Sequence, residues 1–247
     1  MRTFKTMLKI ESRLSVRGMD MVLFALCMPV VMVFILGIIF GDRPAYQGAP
    51  YTFFEQSFGA LSTIAVCAGG VMGLPLLVSD YRQKHILKRF QVTPVSPAMI
   101  LAVHVTIYAA YSLVSLVLVY ASAALLFGYR MQGSPAAFLL CYILVMLSMF
   151  SIGMMVGGIA PDMKSASVAA SVLYFPMLIF SGATLPYEVM PEPMQKAAGL
   201  MPLTQGIKLL KAVSLDQEPV TVWIPMAVIT GVFLLCSCIS LRFFRWE

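Results

Sequence analysis

Few residues in this chain carry charge, and their grouping limits the chemistry open to it. Only 11% of the 247 residues are Asp, Glu, Lys or Arg. The densest group lies in residues 80–97, DYRQKHILKRFQVTPVSP, where Arg82, Lys84, Lys88 and Arg89 stand against the single Asp80. His85 sits among them, and Ile86, Leu87 and Phe90 fall beside them at helical spacing. Cations flanking a small apolar face suit docking against another protein rather than bond-breaking. The plainer alternative is a solvated loop that only fixes topology.

Other reactive residue types point away from catalysis. Cys27, Cys67, Cys141, Cys236 and Cys238 all lie within apolar runs, which reads as small packing residues rather than disulfides or metal ligands. His104 lies one to two turns inside a long apolar run. A packed or interfacial histidine is the simpler reading there, with a functional one as the alternative. No phosphate-loop, dinucleotide, zinc-protease or nucleophile-elbow motif occurs, so we expect no catalytic, cofactor-binding or metal residue and no ATP hydrolysis by this chain alone. No pair of His, Asp, Glu or Lys sits at catalytic depth in an apolar run, which disfavours a membrane-embedded enzyme.

The elements that carry these residues are membrane spans. A composition 60% hydrophobic leaves too few polar residues to cover a soluble surface. The net charge of +6 collects at the ends of apolar runs, which argues against nucleic acid as a partner. Six spans are expected, at about residues 21–40, 56–79, 98–126, 136–159, 165–182 and 220–241. Every charged residue falls outside them, whereas ion-coupled carriers need ionisable groups at membrane depth. Residues 1–20 read as an interfacial helix and not a signal peptide. Phe4, Met7, Leu8, Ile10 and Leu14 share one face, with Arg2, Lys5, Lys9, Arg13 and Arg17 on the other. Twelve of the 17 basic residues then lie on one side, which by the positive-inside rule is cytoplasmic, as are both termini. Gly69 and Gly73, and the pair Gly153 and Gly157, are expected to let helices pack closely.

Residues 183–219 are unlike a simple loop. They hold Pro186, Pro191, Pro193, Pro202 and Pro219 around two short helices, expected at 192–200 and 203–213, with Thr204 as the second helix's N-cap. Each is too short to span, so the pair suits a re-entrant or interfacial hairpin on the external side.

The polar helix between the second and third spans, closed by Thr93-Pro94-Val95-Ser96-Pro97, resembles the corresponding loop in the membrane subunits of type-2 ABC exporters. The proline-rich hairpin, with Met-Pro and Pro-Leu-Thr beside it, extends the resemblance over nearly the whole chain. In place of the family's acidic, Gly-Thr-containing segment this sequence has Gln83-Lys84-His85-Ile86-Leu87. The resemblance implies that Arg82, Lys84, His85, Ile86, Leu87, Lys88, Arg89 and Phe90 form a coupling helix seated on a separate ATPase subunit that binds ATP and Mg. It also implies a second permease copy or paralogue in the lipid bilayer. The expected protein is thus a single all-α transmembrane domain over residues 1–247, in a bacterial cell membrane, that exports an apolar or amphipathic substrate: a drug, an antibiotic, a lipid or a lipid-linked glycan. The alternatives are a membrane-embedded enzyme and an ATP-independent carrier or channel.

Overall fold

The computed structural model describes residues 2–18, 23–40, 43–45, 51–86, 96–182, 190–217 and 219–243. These residues form helices and no named strand. Helix α1 spans Arg2–Arg17. A π-helical turn, Leu23–Cys27, runs into α2, Met28–Phe40. Helix α3 covers Phe53–Gln83, followed by α4 (Pro97–Phe127), α5 (Pro135–Ile159) and α6 (Met163–Phe180). Two short helices, α7 (Glu192–Gly199) and α8 (Pro202–Ser214), precede α9 (Pro219–Phe243).

Five of these helices are long and apolar enough to cross a membrane: α3, α4, α5, α6 and α9. The expected first span is shorter in the described residues, with its apolar helix at Ala25–Phe40. The other spans begin and end within a few residues of expectation because the chain marks their ends. Thr52 and Glu55 form a reciprocal capping box at the start of α3, with hydrogen bonds of 3.1 and 2.7 Å. The Ser96 hydroxyl accepts the Met99 N–H at 3.3 Å, and Pro97 fills the first turn of α4, where a missing N–H costs nothing. Gly128, at φ 64°, closes α4 in the left-handed conformation. Asp162 caps α6 by accepting the Ser165 N–H at 2.7 Å, a bond that holds its carboxyl below the usual range.

Helix α3 is the axis of the bundle. In its apolar window 78% of residues are buried, against 17% in α6 and α9, so those two lie at the periphery. It packs against α2, α4, α5, α6 and α8. Midway it widens into a π-segment, Ala68–Gly73, in which the Leu74 N–H bonds to Gly69 O, five residues back. Pro75 follows at once and lacks an N–H, so a regular turn there would leave a carbonyl unpaired. Helix α5 crosses at this point: a Cβ on Gly153 would stand 1.9 Å from Gly70 O, and one on Gly157 would stand 2.9 Å from Pro75 Cα.

Two expectations need correction. Thr204 is not a helix N-cap: α8 begins at Pro202 behind Met201, and Thr204 is buried inside the helix with its hydroxyl unpartnered. Pro202 takes the first helical position, one residue before the expected start, and leaves the N-cap to Met201. Asp80, Arg82 and Gln83 are not part of a separate loop helix but the last turns of α3. Lys84 ends that helix and His85 turns the chain away at φ 54°.

Candidate functional site

Between α2, α3, α4 and α6 lies a cavity of about 630 Å³. Met28 and Met32 of α2, Met72 of α3 and Met163 of α6 line it, beside Phe175 and Leu178. Unbranched thioether side chains adapt to irregular apolar shapes, so this wall suits a hydrophobic occupant better than a polar one. Its polar lining is sparse: Tyr108, Tyr174 and Asp80. Asp80 already pairs with Lys84 at 2.8 Å, one helical turn on. Among the described residues no group of three His, Cys, Asp or Glu could hold a metal ion.

At the Asp80 end of α3, three elements are tied together. Arg82 is only 6% exposed, and its guanidinium donates to Gly158 O at 3.2 Å and to Ala160 O. These carbonyls close α5, whose last turn has no intrahelical donors for them, so Arg82 acts as a C-terminal cap from a neighbouring helix. One residue earlier, Tyr81 Oη lies 2.9 Å from His104 Nε2 on α4, with the rings edge to face at 5.1 Å. Glu11 of α1 approaches the same pair, its Oε2 3.8 Å from His104 Nε2. Burial lifts the Glu11 carboxyl above its ordinary pKa, and a hydrogen bond from Tyr81 offsets part of that rise. Tyr111 of α4 donates to Ser15 Oγ of α1 at 3.1 Å, a second tie between these helices.

Among the residues singled out from sequence, Lys84 and His85 are exposed and Ile86 is half-buried. Leu87, Lys88, Arg89 and Phe90 lie outside the described residues, as does Pro186. Lys5, Lys9, Arg13 and Arg17 are exposed along α1, and Ile10 and Leu14 are exposed too, on a helix that packs against α4. Arg2 begins α1. Gly153 and Gly157 meet α3 at Gly70 and Pro75, while Gly69 is buried and Gly73 lines the apolar cavity. Pro191 caps α7, with Pro193 in its first turn. Helix α8 is held in the bundle by Leu203, Ile207, Leu209 and Leu210, all buried, and packs on α3, α5 and α9.

Sequence reasoning missed the inward turn of Arg82, the close approach at Gly70, and Glu11. Glu11 had one available signal: it is the only acidic residue in Arg2–Arg17.

An all-helical bundle with five spanning-length apolar helices, few charges and an amphipathic leading helix defines a multi-pass membrane protein. The model of the ABC-2 type transporter family matches residues 2–215, and the chain belongs to that family: it is a type-2 ABC transporter permease. A comparison with curated proteins finds no match.

Proposed function

We propose that this permease is the six-span membrane subunit of an exporter, moving an apolar or amphipathic molecule outward with ATP hydrolysed, in the presence of Mg, by a separate ATPase subunit. It works beside a second permease copy or paralogue, with both termini cytoplasmic in a bacterial cell membrane. Leu23–Phe40 supplies the remaining span. The α7–α8 pair is the external re-entrant hairpin, and residues 80–97, which open with the last turn of α3, are the coupling segment.

The observation that supports this most is the reach of α3. Its base leads into the Lys84–His85–Ile86 turn, and its flank walls the apolar cavity. Near its other end, Gly59 meets α8 at Leu210 and Lys211. A load applied to the loop by a closing ATPase pair therefore has one stiff element along which to reach the hairpin. Arg82 passes the same load to the end of α5. Because the spans hold no ionisable group at mid-depth, an ion gradient has little to act on, and energy enters through the loop.

The test is copurification of the chain with an ABC ATPase subunit from the cells that express it. Replacing Leu87 and Phe90 together by Ala removes a small apolar anchor, each truncation costing about 1–3 kcal/mol of binding at a hot spot. The expected result is normal membrane insertion with the ATPase lost. Undiminished ATPase recovery from the double variant would reduce this loop to a topological feature.

A further inference from the structure

A second cavity, of about 260 Å³, lies between α1 and the neighbouring ends of α3 and α4. Glu11 and Ser15 line it from α1, Leu77 and Tyr81 from α3, and His104 and Tyr108 from α4. The carboxylate here is half-buried. Among the described residues no lysine or arginine stands within 4.0 Å of it, and its only nearby base is His104. Burial raises its pKa, a hydrogen bond from Tyr81 offsets part of that rise, and a bound cation would hold it ionised. The rings of Tyr81, His104 and Tyr108 complete the wall. A carboxylate among aromatic side chains is the composition that receives an ammonium group, through charge and through the ring quadrupoles. The volume leaves room for several heavy atoms and not only a single water.

The surroundings narrow the ligand further. Lys5, Lys9, Arg13 and Arg17 are exposed along α1 and repel a free cation, but they attract a phosphate. Ile10 and Leu14 are exposed on one face of the same helix, an apolar surface suited to acyl chains. A molecule carrying ammonium, phosphate and acyl chains satisfies all three.

We propose that this cavity binds the ammonium group of a zwitterionic phospholipid, with its phosphate among the α1 cations and its chains along α1. This site adjoins the apolar cavity at Leu77 and Tyr108, which line both, and does not depend on the export reading. The lipid holds α1 against α3 and α4 at the base of the bundle, beside the loop.

The experiment uses the purified full chain in a neutral maltoside detergent, with lipid retention measured by native mass spectrometry. Phosphatidylethanolamine, phosphatidylglycerol and free ethanolamine are the probes. Phosphatidylethanolamine should be retained in preference to phosphatidylglycerol, which keeps the phosphate and lacks the amine. Glu11→Gln should weaken its retention by about tenfold, as should Tyr81→Leu, while Tyr81→Phe keeps the ring and stays within about threefold. The Tyr81 pair decides the matter if Glu11→Gln does not fold, since a merely structural hydroxyl would make Phe and Leu equally harmful. Equal retention of both lipids, an unaffected Glu11→Gln variant, or displacement by ethanolamine at equal concentration would each overturn the lipid assignment.

Discussion

Arg82 and Lys84 are two residues apart in a stretch that reads as uniformly basic, yet they do different work. Arg82 donates to the carbonyls that end α5, while Lys84 forms an exposed i,i+4 pair with Asp80. Replacing Arg82 by Met keeps most of the volume and leaves both carbonyls without their donor, which should destabilise the fold by about 1–3 kcal/mol. Lys84→Gln should cost at most about 0.5 kcal/mol, because an exposed helical pair is screened by water. Thermal unfolding of the two variants in detergent checks this ordering. A Lys84 variant as damaged as the Arg82 variant would contradict it. Charge type and spacing grouped both residues in one loop helix, but the direction of each side chain depends on where α5 ends, and nothing local to residues 80–97 encodes that.

Span ends fell close to expectation, where Thr52, Ser96 and Asp162 bond within a turn of themselves and Pro97 and Pro135 fill a first turn, but the one cap expected by name, Thr204, was misplaced. Helix contacts were less legible. Gly153 and Gly157 stood out as a pair, but the sequence did not show their partner surface, which is Gly70 and Pro75. The π-segment is one reason: its wider turn rotates the face that α3 presents, so the glycine that meets α5 is not found by counting at regular helical spacing. Gly153→Ala puts a methyl group against a backbone oxygen, so α3 and α5 must separate, at a cost of about 1–3 kcal/mol. Gly231→Ala on α9 meets nothing within 4 Å and should be neutral or gain up to about 1 kcal/mol from helix propensity. Comparing their thermal midpoints tests the crossing, and equal midpoints would contradict it.

At the scale of the molecule, the sequence exposed the class readily, since apolar runs of spanning length and cations at their ends arise from the bilayer itself. The apolar cavity was not legible. It joins residues from α2, α3, α4 and α6, and its wall depends on packing between elements far apart in sequence. The Glu11, Tyr81 and His104 cluster was hidden for the same reason, as it unites three helices through side chains that look ordinary one at a time. The central claim is that a partner's ATP hydrolysis, and not an ion gradient, drives movement of an apolar molecule through this permease. The direct measurement is efflux of a hydrophobic fluorescent amphipath from vesicles containing the permease and its ATPase, energised either by ATP with Mg or by an imposed proton gradient. Transport with ATP alone, lost when the ATPase is omitted, is the predicted result; transport on the proton gradient without the ATPase would contradict the account.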